Sequence, residues 1–151
     1  MTFSLSGMSP VLMTEIVDEI VTELQSDAEL MGTPLNGNIY PDIEPGHDYP
    51  VLVVLGVIGE VTRTLNAQHV WRDAEIQVTA RDKGGTDKGS LVLIMRRVSI
   101  VLEGLRIQRN GLYIGPIHEI RERPRGPDRV NDDLYPQIVV EYDCKAYRHS
   151  V

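Results

Sequence analysis

The sequence predicts an α+β domain: two main helices packed on one mostly antiparallel sheet, in the order α-β-β-β-α-β-β-β. Three observations predict it. Leu12, Ile16, Ile20 and Leu24 recur every fourth residue, as on the buried stripe of a helix. Val70, Ala74, Ile76, Val78 and Ala80 alternate with polar partners, as in a half-buried strand. A second alternation, Ile138, Val140, Tyr142, Cys144 and Ala146, closes the chain. With 151 residues there is enough chain for one domain with a sizeable core, and no repeat or linker divides it.

Each element follows from local chemistry. Ser9 can cap the first helix and Pro10 suits its first position, so the helix is expected from Pro10 to Gln25 with an acidic outer face of Glu15, Asp18, Glu19 and Glu23. A short turn from Asp27 to Met31 stops at Gly32 and Pro34. Residues 32–50 hold four prolines and three glycines and read as a long loop with at most a short strand at Asn38–Tyr40. Val51–Leu55 is apolar and β-branched, a central strand; Gly56 and Gly59 permit a bend before Glu60–Leu65. In the long strand His69–Arg81 only Arg72 falls on the apolar side. Asp82-Lys83-Gly84-Gly85 ends it, and Thr86 or Asp87 can cap a helix carrying Leu91, Met95, Val98 and Leu102, with Arg96, Arg97 and Glu103 on its polar side. Asn110-Gly111 is a strong hairpin signal between Arg106–Gln108 and Leu112–Gly115. Ile117–Arg123 reads as strand, and Pro124–Asp133 as a charged excursion.

Charge is unevenly placed. Hydrophobic residues at 42% and charged residues at 25% are globular values that exclude wholesale disorder. Residues 1–62 contain no Lys or Arg but ten carboxylates, so the remainder carries all 15 basic residues against 12 acidic ones. The sum, −10 and +3, is the net −7. A general nucleic-acid binder concentrates positive charge instead, and is disfavoured. Two electrostatically different faces suit an assembly subunit. Cys144 is single, which excludes an intrachain disulfide and fits folding in a reducing cytoplasm. No secretory signal is expected at Met1–Ser9, and the longest apolar run, Val51–Ile58, is too short for a bilayer, so a soluble protein is expected.

Sequence motifs for chemistry are weak. Asp42, Glu44, His47 and Asp48 gather oxygen and imidazole ligands that suit Ca²⁺ or Zn²⁺, but at no metal-loop spacing; the bland reading is a solvated or interface loop. The loop with Lys83 and Lys88 joins strand to helix as phosphate loops do, yet Lys88 precedes Gly89 rather than following it. Pro127-Asp128 with Asp143-Cys144-Lys145 resembles a Mg²⁺-dependent nuclease pattern, in which two carboxylates chelate the metal and the lysine activates water. The Pro127-Asp128 half, however, is expected in a loop. No nucleophile elbow exists, and Cys144 is expected in the core. No catalytic residue, metal or cofactor is assigned. Arg121 and Arg123 share a strand face that Arg125 and Arg129 extend, a candidate partner contact.

The whole pattern resembles the tail terminator (tail completion) family of long-tailed bacteriophages. The resemblance rests on the amphipathic helix, Asn38-Ile39-Tyr40-Pro41, Tyr49-Pro50-Val51-Leu52-Val53-Val54, the strand His69–Arg81, the Gly-rich loop, the helix ending Leu102-Glu-Gly-Leu105, and the closing strand Ile138–Arg148. The excursion Pro124–Asp133 is longer than the family's usual connection. The resemblance implies a non-enzymatic virion protein, assembled in the host cytoplasm and placed at the tail–head junction. It implies a six-subunit ring that binds the tail tube protein, stops tube growth and joins a neck or head-completion protein, with genome DNA passing through its lumen. Asp42, Glu44, His47, Asp48, Lys83, Lys88, Arg121, Arg123, Arg125 and Arg129 are then the candidate interface residues, with the acidic helix and loop as one sign of charge and the arginines as the other. Another neck connector and the Mg²⁺-dependent nuclease are the alternatives.

Overall fold

The computed structural model describes residues 10–41, 49–64, 70–83, 89–123, 126–130 and 133–148. Its helices are α1 (Met13–Gln25), α2 (Ala28–Met31) and α3 (Gly89–Leu102). Its strands are β1 (Ile39–Pro41), β2 (Val51–Arg63), β3 (Val70–Arg81), β4 (Ile107–Arg109), β5 (Leu112–Ile114), β6 (His118–Arg123), β7 (Asp128–Val130), β8 (Asp133–Tyr135) and β9 (Gln137–Arg148). The main sheet has seven strands in the order β1-β2-β3-β9-β5-β4, with β6 also on β9. Every pairing in it is antiparallel except β1 with β2. The expected α+β class and helix-on-sheet arrangement hold.

α1 starts three residues later than expected. Leu12 has extended backbone, and its N–H donates to Glu15 Oε2 at 2.8 Å, so the carboxylate rather than Pro10 sets the start. Ser9 lies outside the described residues, as do Thr86 and Asp87, the caps expected for α3. Asp27 caps α2 by accepting from the Leu30 N–H at 3.1 Å.

The expected break at Gly56–Gly59 is a bulge inside one continuous strand. The register of β2 against β3 shifts between Gly56 and Ile58. Both glycines let α1 approach: a Cβ at Gly56 would sit 2.9 Å from Met13 Cε. Arg72, the polar residue on the helix-facing side of β3, serves the same junction. It donates to the Val11 carbonyl and, at 2.8 Å, to the Gly59 carbonyl.

The core lies between the helices and one sheet face. Ile16, Ile20 and Leu24 of α1 and Leu91, Val98 and Leu102 of α3 are fully covered, against Ile76, Val78, Ala80, Val140 and Tyr142. Tyr142 is wholly buried, and its hydroxyl shares a 2.8 Å hydrogen bond with Ser99 of α3. Burial pushes its ionisation up to about 12, and does the same for the Cys144 thiol, which is core as expected. The Asn110-Gly111 turn has φ of 53° and 76°, the left-handed pair that a two-residue hairpin needs. The excursion departs from expectation: β7 and β8 pair as a small separate hairpin.

Two isoleucines give a direct check on this assignment. Ile20 of α1 is 0% exposed and Ile100 of α3 is 69% exposed. Ile20→Ala is expected to cost about 2–5 kcal/mol in urea unfolding, and Ile100→Ala less than about 0.5 kcal/mol.

Candidate functional site

The charge division at residue 62 folds back on itself. Arg109 of β4 reaches α1 and pairs with Glu19 at 2.8 Å and Glu23 at 2.7 Å. Arg148 at the end of β9 pairs with Glu15. Arg97 of α3 grips Asp27 with two hydrogen bonds, 2.7 and 3.0 Å, while Asp27 caps α2. Its guanidinium holds the Asp27 carboxyl below the usual carboxylate range. The expected acidic outer face of α1 is thereby corrected. Three of its four carboxylates are half-buried partners of arginines in the same chain, and Asp18 is the exposed one.

The sheet face turned away from the helices carries the densest charge. Glu141 of β9 is 1% exposed. Arg121 and Arg123 of β6, paired in register with Glu141 and Val139, both close on its carboxylate. Arg121 also stands 3.7 Å from Glu75. Burial pushes the Glu141 carboxyl up, but the hydrogen bonds from Arg123 and Arg121 outweigh it and hold the group below the usual range. Beside this clamp, Lys145 lies 3.9 Å from Asp73 and 5.5 Å above the Trp71 ring. At the sheet margin, Glu103 accepts from His118 Nδ1 and from the Glu119 N–H, both at 2.9 Å. The hydrogen bond from His118 lowers the Glu103 carboxyl.

Of the residues expected at an interface, Arg121 and Arg123 are brought together, each a little under half exposed. Their first duty is internal: they neutralise a buried carboxylate. Reversing them to glutamate would therefore break the fold as well as any contact. Lys83 is exposed beyond β3 and stands apart from them. Arg129 belongs to the β7 backbone. Asp42, Glu44, His47, Asp48, Lys88 and Arg125 lie outside the described residues. Among the described residues, no three His, Cys, Asp or Glu side chains come together as a metal site. Nor is any helix there long and apolar enough to cross a membrane. Asp128 opens β7 rather than lying in a loop, so that objection to the nuclease pattern falls, but Lys145 is engaged by Asp73 and Trp71.

Sequence reasoning missed an apolar surface. Val92, Leu93 and Ile100 of α3 are 37%, 64% and 69% exposed. Val92 and Ile100 border a groove between α3 and β6 whose wall includes Met95, Ile138 and Val140, while Leu93 lies on the α2 side with Leu30 and Pro34. The signal was present: α3 is apolar nearly all round, and Arg96 and Arg97 make only a narrow polar side. A second exposed pair, Val57 and Ile58, sits at the β2 bulge.

Removing both arginines from Glu141 should leave a buried charge uncompensated. Arg121→Ala with Arg123→Ala is expected to cost about 3 kcal/mol in urea unfolding, the low end for buried pairs because the guanidiniums are half exposed. Adding Glu141→Gln should recover part of the loss. A double variant within about 1 kcal/mol of the unaltered protein would contradict the clamp. The pH dependence has a defined sign. The folded Glu141 carboxyl lies below its unfolded value of about 4.3, so its contribution is complete above that pH and lost as pH falls through the folded value. Acid unfolding followed by circular dichroism should be less steep in Glu141→Gln.

No family model matches the chain, and no curated protein matches it in sequence. Among solved structures it is similar to a chain in the virion of a native gene transfer agent (GTA) particle, with a TM-score of 0.61 at 15% identity. The likeness covers 85% of this chain and 91% of that one, and at this identity it is a likeness of fold.

Proposed function

We propose that this protein is a structural component of a virion. In the finer reading it is a tail terminator, a ring subunit that caps the completed tail tube, stops its growth and offers a surface for joining the head. The observation that carries the reading is the fold likeness over nearly the whole of both chains to a protein of a virion particle. The order of elements on which the terminator resemblance rests supports it further: α1, the short β1 beside β2, the long β3, α3 and the closing β9. The work is recognition between surfaces, and its site is the tail–head junction. One face meets the tail tube protein and the other a neck or head-completion protein, while copies of the chain contact one another head to tail. Such contacts must close into a ring, because otherwise they would continue as a filament. The acidic loop 42–48 and the basic residues Lys83, Lys88, Arg125 and Arg129 remain the charged candidates for these contacts, and charged contacts of this kind set orientation and association rate.

The test is the mass of the purified protein in solution, alone and with tail tubes of the same particle. A ring that forms alone or on the tube end is expected. A monomer that ignores the tube but binds the portal side would replace the terminator reading with a neck protein. Mg²⁺-dependent DNA cleavage abolished by Asp143→Ala would overturn the structural role altogether.

A further inference from the structure

Both margins of the main sheet offer unpaired strand edges among the described residues. β1 pairs with β2 only at Leu52, Val53 and Val54, so Leu55–Arg63 has a strand neighbour on the β3 side alone. At the other margin β6 pairs with β9 alone. Five of its six residues are exposed. Unpaired edges present rows of N–H and C=O groups that another strand can satisfy.

We propose that the α3–β6 margin of one copy receives the β2 margin of the next, making a head-to-tail interface between copies of this chain. The proposal rests on the ring reading and names the surfaces that such a ring would use. Strand directions fit. β2, β3, β9 and β6 alternate in direction, so a neighbour in the same orientation sets its β2 antiparallel to β6. Through Asp143 and Glu75, His118 is level with Ile58. Because β1 occupies the place beside Leu52–Val54, the neighbour must slide so that β6 moves toward Arg63. A stagger of this kind is what closing a sheet requires.

The layers above the sheet agree. α1 packs on β1 and β2, and α3 on β3 and β9. The neighbour's α1 therefore arrives beside α3, over the groove that, among the described residues, has no helix on its β6 side. It brings Leu12, 59% exposed, while Ile58 of its β2 stays on the other sheet face, beside Glu75. Leu12 meets Val92 and Ile100. Among exposed charges, Asp18 is outward on α1, and the groove carries Arg96 together with Glu119 and Glu122. The two surfaces differ and lie at opposite margins, so the contact is heterologous and repeats from copy to copy.

Cysteine cross-linking tests this. Cys144 is buried with its thiol pushed up to about 12, so it stays silent. A chain carrying both Leu12→Cys and Glu122→Cys is treated with a short bis-maleimide at high concentration, alone and with tail tubes. The expected result is a ladder of covalent multimers. Each single-cysteine chain should give none, and a mixture of the two should stop at dimers. Adding Ile100→Glu, an exposed position that leaves the fold intact by circular dichroism, should abolish the ladder. Dimers from a single-cysteine chain would overturn the proposal, because they mean a symmetric contact. No ladder from a protein that still assembles would overturn it and leave the ring reading standing. Failure of the unaltered protein to assemble under either condition would overturn both.

Discussion

Strand β9 is the member on which the other elements depend. It pairs with β3 from Arg72 to Arg81 on one side, and with both β5 and β6 on the other. Its alternation then gives each sheet face a different task. Tyr142 and Cys144 point into the core beneath α3, whereas Glu141 points to the opposite face and is still almost fully covered. A carboxylate in that position is tolerated only with compensation, because desolvating an unpaired charge costs several kcal/mol. Arg121 and Arg123 provide it. The same two residues therefore fasten β6 to the centre of the sheet and set the height at which its free edge is displayed.

Electrostatics elsewhere works in the same sense. The acidic N-terminal part and the basic remainder are two halves of internal pairs: Glu15 with Arg148, Glu19 and Glu23 with Arg109, Asp27 with Arg97. Partly exposed pairs contribute modestly to stability, about 1 kcal/mol or less each. Their greater consequence is orientation. They tie α1 to strands distant in sequence. What this leaves outward on α1 and α3 includes Asp18, Arg96 and the aliphatic side chains of Leu12, Leu93 and Ile100.

The fold was legible wherever one residue pattern answered to one physical cause. The every-fourth-residue stripe of α1, the two-residue alternation of β3 and β9, and the Asn-Gly turn each state their own geometry. Less legible were features decided by a partner far along the chain. Nothing local to Glu141 tells that it is buried, since an alternating polar position reads as solvent-facing until β6 is laid beside it. The acidic side of α1 likewise reads as free until Arg109 and Arg148 arrive from residues far downstream. α1 starts at Met13 rather than Pro10 because Glu15 takes the Leu12 N–H, a choice between two competing caps that composition leaves undecided. The hairpin of β7 and β8 was hidden because Pro127 and Gly126 mark the excursion as loop. The apolar side of α3 was visible in the letters themselves, as an unbroken run from Leu91 to Met95, but period counting took up Leu91 and Met95 and passed over Val92 and Leu93.

These features describe a small subunit in which the carboxylates of α1 other than Asp18 are paired internally, and whose free strand edges and apolar helix side lie at its margins. Surfaces of that kind are made for contact with copies and neighbours in a particle, which is the role proposed. Its most direct test is the length distribution of tails, measured by electron microscopy, in particles assembled without this protein. The account predicts tubes that run past their normal length and remain unattached to heads, with normal tails restored when the protein is supplied. Tails of normal length joined to heads in its absence would contradict it.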